Sequence, residues 1–135
     1  MKDIVIKNMK SIIIKQIESD LKFNEEINQE EVIDKISFII PKANRISIAY
    51  KTNTMFSTNF HYVGVLNSDE FFYAFITVPE KYASARCIDL KINKSENYII
   101  DYFAQKIGLF AESVNKVKLE KKLDSKEKKH DVKKI

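Results

Sequence analysis

Apolar residues recur at helical intervals near both ends of the chain and at every second position through its middle, and that change of period divides the sequence into elements. From Asp3 to Lys22, Val5, Met9 and Ile12, and Ile6, Met9, Ile13, Ile17 and Leu21, fall on helical spacings with Lys and Glu between them. That pattern predicts an amphipathic helix, with a short opening strand over Ile4 to Ile6 as the competing reading. A second helix has clear punctuation: Asn28 caps, Glu31 stands three residues on, and Ile27 is placed to staple against Val32. Val32, Ile36, Ile39 and Ile40 follow at helical spacing until Pro41 forbids continuation.

From Arg45 the period becomes two. Ile46, Ile48 and Tyr50 alternate with Ser47 and Ala49, and Phe56 to Gly64 alternate again, with His61 on the more polar side. Asn67 to Glu70 is a turn, Phe71 to Val78 a third strand, and Arg86 to Ile92 a fourth with Ile88, Leu90 and Ile92 on one face. The third strand is apolar on both faces, so it is expected to lie inside the sheet, covered from two sides. Short connections favour an antiparallel meander. Ile99, Phe103, Ile107, Phe110, Val114 and Val117 then make one long helical stripe, with Gly108 inside it at a close packing contact. The predicted fold is α+β: two N-terminal helices, a four-stranded antiparallel meander and a long C-terminal helix. Residues 1–117 form one domain and residues 118–135 a charged, disordered or frayed-helical tail.

Charge changes this picture once it is located. The formal +4 resides in the tail, where residues 116–135 carry nine Lys against four acidic residues, while residues 1–115 are near neutral at −1. A basic face on the folded domain is therefore not expected. Lysine outnumbers arginine 21 to 2, a composition that fits an AT-rich genome. The apolar runs are short and interrupted by lysine, so a membrane span and a secretory signal are not expected and the cytoplasm is the default compartment. Two glycines, Gly64 and Gly108, cannot assemble a phosphate-binding loop.

Candidate chemistry is sparse. The histidines are His61, read as a rim residue, and His130 in the tail; with the lone Cys87, read as a small buried thiol, they give no metal-ligand spacing. No catalytic residue, metal or cofactor is expected. Arg45 and Arg86 each begin a strand, so both are candidates for one rim of the sheet, either in structural ion pairs with Asp89 or Glu80 or on an anion. Seven of the fifteen aromatics lie between Phe56 and Phe75, which core packing explains more simply than base stacking.

The function expected from this sequence is non-enzymatic: binding or regulation of another protein, as in a small adaptor, immunity or anti-defence protein of a mobile element, and as a homodimer through the last helix with Tyr98 and Tyr102. The alternative is nucleic-acid binding through the tail lysines Lys116, Lys118, Lys121, Lys122, Lys126, Lys128 and Lys129. A second alternative is a small anionic ligand in a cleft around His61, Tyr62 and Arg86.

Overall fold

The computed structural model describes residues 2–80 and 84–133, with side chains over 9–80 and 84–123. It is α+β with four helices and one five-stranded antiparallel sheet in the order β1-β2-β3-β4-β5. The elements are α1 (Lys2–Asp20), β1 (Lys22–Phe23), α2 (Gln29–Ile36), β2 (Ala43–Asn53), β3 (Ser57–Leu66), β4 (Phe71–Pro79), β5 (Arg86–Asn93), α3 (Glu96–Lys106) and α4 (Ala111–Lys133). No helix among the described residues is long and apolar enough to cross a membrane.

The four expected strands form the body of the sheet, and a fifth, β1, adds two residues beside β2 through Lys22↔Ala49 and Phe23↔Ile48. A strand of two residues carries no period, which is why the pattern did not show it. The expected single C-terminal helix is two helices. Gly108 takes φ +83°, and a Cβ placed there would meet nothing within 4 Å, so it is a helix stop rather than a packing contact. Leu109 N–H bonds the Ala104 carbonyl at 2.8 Å and Gly108 N–H bonds that of Gln105 at 3.2 Å, the paired bonds of a glycine C-terminal cap.

Two cores lie on either side of the sheet. On one face Ile48, Tyr50, Val63 and Tyr73 pack with Ile99, Ile100, Phe103, Ala104 and Ile107 of α3, and with Val114 and Val117 of α4. On the other Tyr62, Phe72, Ala74 and Ile76 pack with Ile36 and Ile40 around α2. The doubly apolar β4 is thus covered on both faces, as its pattern implies. The helical stripe from Ile99 to Val117 is core as well, apart from the exposed Phe110, so it is not a free interface.

One register detail redirects a side chain. Ile46 pairs with Gly64 and Ile48 with Val63, so a bulge at Ser47 sends Ile46 to the α2 core and Ile48 to the α3 core. The two were expected on one face. Gln29 holds this bulge: its Nε2 donates to the Ile46 carbonyl at 2.8 Å and its Oε1 accepts from Ile46 N–H at 2.7 Å. Beside it Gly64 is obligatory, because a Cβ would stand 2.4 Å from the Arg45 carbonyl oxygen. At α2 the Asn28 side chain accepts from Glu31 N–H at 3.2 Å, the expected cap.

Candidate functional site

The antiparallel register lays four side chains across the sheet in one row: Tyr50 on β2, His61 on β3, Phe75 on β4 and Asp89 on β5. His61 is buried there rather than at a rim. Its Nδ1 shares a 2.7 Å hydrogen bond with the hydroxyl of Tyr73, and Phe75 and Tyr50 flank the ring with centroids at 4.3 and 5.8 Å. Burial lowers its pKa to about 4, so the imidazole is neutral near pH 7. Burial likewise pushes the Tyr73 hydroxyl well above its ordinary range, with Asp89, Tyr102 and Cys87 adding to the rise. A neutral histidine bonded to a fully buried, protonated tyrosine thus links β3 to β4 within the core.

At the β5 end the row turns polar and more open. The Tyr102 hydroxyl donates to Asp89 Oδ2 at 2.7 Å, and Lys106 Nζ stands 3.4 Å from the same oxygen. The Tyr102 bond is the chief cause that holds the Asp89 carboxyl below its usual range, helped by Lys106 and by Leu90 N–H. Lys91 reaches over the rings of Tyr98 and Tyr102 at 5.8 and 5.5 Å. Cys87 is exposed, not buried, and its Sγ donates to the Asp89 carbonyl at 3.4 Å. β4 lies between it and His61, so the two do not pair.

The expected site residues do not converge. His61 and Tyr62 point to opposite faces, Tyr62 standing in the α2 core with its hydroxyl pushed up to about 12 by burial. Arg45 and Arg86 lie at opposite ends of the strands: Arg45 pairs with Val65 and Arg86 with Thr77. The reason is topological, since three antiparallel steps separate β2 from β5 and put their beginnings at opposite ends. Arg45 Nε donates to Asn24 Oδ1 at 3.2 Å, and Asp89 pairs with Lys106 rather than Arg86. The shared anion rim and the cleft around His61, Tyr62 and Arg86 are therefore not formed. Tyr98 is exposed on α3, and Tyr102 is half-buried and engaged with Asp89.

In the charged segment α4 is helical through Lys133. Lys116 and Lys122 are exposed and Lys118 half-buried, whereas Lys121 bonds the Leu21 carbonyl and lies 3.5 Å from Glu26. Lys126, Lys128, Lys129 and His130 lie outside the described side chains. Among the described residues no three His, Cys, Asp or Glu side chains gather as a metal site.

Sequence reasoning passed over the Tyr73–His61 pair and the Asp89 cluster. A signal for the first was present: a tyrosine in a strand apolar on both faces needs a partner for its hydroxyl. It also passed over several places where large apolar side chains face solvent, three of which gather more than one such residue on a strand, a hairpin tip or the first helix. These are Met9, Ile12 and Ile13 on α1, Met55 and Phe56 at the β2–β3 hairpin tip, and Ile88, Leu90 and Ile92 on β5. No family model, curated protein or solved structure matches the chain.

Proposed function

We propose that the protein is non-enzymatic and works by contact with other protein chains. The observation that carries this reading is the division of labour among its side chains. The groups best suited to acid–base chemistry, His61 with Tyr73 and Asp89 with Lys106, are buried and mutually satisfied or held in a surface ion pair. The exposed Cys87 thiol has neither of these histidine or carboxylate side chains as a partner. The surfaces left unpartnered are apolar. α1 is one of them: it packs on the body near its C-terminal end through Ile17, and Leu21 follows it into the core, while Ile12 is 66% and Ile13 56% exposed. Apolar area concentrated on one helix marks a docking surface. A small adaptor, immunity or anti-defence role suits such a molecule.

The test is cross-linking in lysate of the native cell with the full chain and with Ile12→Glu/Ile13→Glu. Recovery of one protein, cross-linked through Lys10 or Lys15 and missing from the double variant, supports the reading. Equal recovery by both chains, or capture that disappears on nuclease treatment, defeats it. The second outcome favours the other reading, salt-sensitive nucleic-acid contact through α4, for which the exposed Lys116 and Lys122 are the supporting observation.

A further inference from the structure

The outer edge of β5 is finished differently from the outer edge of β2. At β2, β1 pairs with Ile48 and Ala49, the Gln29 amide takes both backbone groups of Ile46, and Arg45 is tied to Asn24. β5 is four times as long as β1, eight residues against two, and among the described residues no strand lies outside it. Its backbone faces outward along a row that includes Leu90, 41% exposed, and Ile92, 45% exposed. An edge of this kind is a template for another strand unless something guards it.

The strand's own sequence selects the partner. In β5, Asp89 and Lys91 lie opposite Phe75 and Tyr73 on the α3 face, and Leu90 and Ile92 lie opposite Ala74 and Phe72 on the α2 face. Place a second copy antiparallel to it about a two-fold axis at Leu90. Leu90 then meets the second copy's Leu90, Ile88 meets Ile92, and Asp89 meets Lys91. Each charge meets one opposite charge, giving two Asp89–Lys91 pairs, and the apolar residues face one another, which is the arrangement that stabilises cross-strand pairs. Centring the axis on Asp89 or on Lys91 sets like charges opposite each other. Shifting by half a step turns Leu90 onto the charged face. We infer that the protein forms a two-fold dimer by β5–β5 pairing centred on Leu90, joining two five-stranded sheets into one continuous sheet.

Two features usually protect edges, and both are present. Lys91 deters a strand that offers no acid, but the second copy offers Asp89. The register slips by one residue at Ile88 against β4, which limits the regular pairing with the second copy to Asp89, Leu90 and Lys91, with Ile88 and Ile92 meeting at its two ends. The inference rests on the reading of a protein that works by protein contact, yet it uses β5 and not α1.

The test is a disulfide. Residues directly opposed across antiparallel strands have Cα atoms about 4.5–5.5 Å apart, within disulfide reach. In a Cys87→Ser background, Leu90→Cys is expected to give a covalent dimer in near-full yield under mild oxidation at tens of micromolar. Ile92→Cys in the same background is expected to give no covalent dimer, because its two copies would be offset by about 13 Å at the strand rise per residue. Cross-linking at both positions alike, or at neither, overturns the proposal. The charge arm is Lys91→Asp, which is expected to weaken dimerisation at least tenfold in sedimentation, with Asp89→Lys/Lys91→Asp restoring it. Asp89 also holds Tyr102 and Lys106, so if the double variant fails to fold, the disulfide decides. Ile12→Glu/Ile13→Glu is expected to dimerise normally. A chain that captures its partner through α1 but gives no Leu90 disulfide sinks the dimer alone.

Discussion

The two edges of the sheet, and the half of the sheet behind each, have opposite character. From Ile46 to Ala49 of β2 the chain meets backbone groups with its own, through a two-residue strand and a glutamine amide, and beside them Arg45 is tied to Asn24. Around β5 it leaves the backbone row outward and places Leu90 and Ile92 in solvent. The row from Tyr50 to Asp89 records the same gradient in its charges. His61, on the closed side, is neutral and buried; Asp89, on the open side, is ionised and shared between Tyr102 and Lys106. Closure is achieved where polar groups find partners within the chain, and the open edge is where the proposed second copy would pair.

The largest expected effect breaks the closed half with acid. In the unfolded chain His61 takes a proton near pH 6.5, whereas in the fold burial lowers its pKa to about 4. Between those values the unfolded state holds more protons, so stability is intact above about pH 6.5 and falls as the pH drops towards 4. The ceiling on that loss is about 3 kcal/mol, from the free energy per pKa unit. Asp89 titrates lower, since Tyr102 holds its carboxyl below the ordinary range, and its contribution is lost only at still more acid pH. Urea denaturation of the native chain and of His61→Gln at pH 7, 5.5 and 4.5 is expected to show profiles that diverge, with the native chain losing stability faster. Parallel profiles would mean the ring is not held neutral.

Next comes the polar closure of the β2 edge. Gln29→Ala removes both partners of Ile46 at the bulge and leaves its N–H and carbonyl to find water. The expected cost is about 2 kcal/mol, in the range for a part-buried polar group left unmade. Gln29→Glu separates the two bonds: it keeps the acceptor for Ile46 N–H and loses the donor to the carbonyl, so it is expected to fall between the native chain and the alanine variant. If Gln29→Ala unfolds at the native urea midpoint, the amide is an ornament of the edge and not its closure.

How far the sequence exposes this arrangement differs from element to element. The Asn28 cap and the doubly apolar Phe71–Val78 are local signals, and both structures form where the residues say. Gly108 is ambiguous in sequence, because a glycine in an apolar stripe fits a close contact or a stop; its φ of +83° decides. The bulge at Ser47 is invisible to a period-two pattern, as it depends on Gln29, seventeen positions from Ile46. His61 was misread for a related reason. β3 is buried on both faces at Tyr62 and Val63, so alternation with polar neighbours no longer marks a wet side. For β5 the apolar face is plain in Ile88, Leu90 and Ile92, but its position at the edge follows from topology, and topology alone makes that face available to a partner.

The smallest effect is the sharpest comparison, because it places one substitution on a strand covered by β1 and on the outermost strand at the other side. Ile48 on β2 is fully buried and opposes Phe23 of β1, whereas Ile92 on β5 is 45% exposed and opposes Phe72 on the inner side. Ile→Val removes one methylene and keeps the β-branched shape that strands favour. At Ile48 the expected loss is about 1 kcal/mol, within the range for a fully packed core site. At Ile92, measured at sub-micromolar protein where a second copy is absent, it is within about 0.3 kcal/mol of zero, as for a surface position. Raising the protein to tens of micromolar adds a term at Ile92 alone, since Ile92 would then lie against Ile88 of the second copy. A concentration-dependent gap at Ile92 with none at Ile48 separates an edge that is merely exposed from one that is built to be covered.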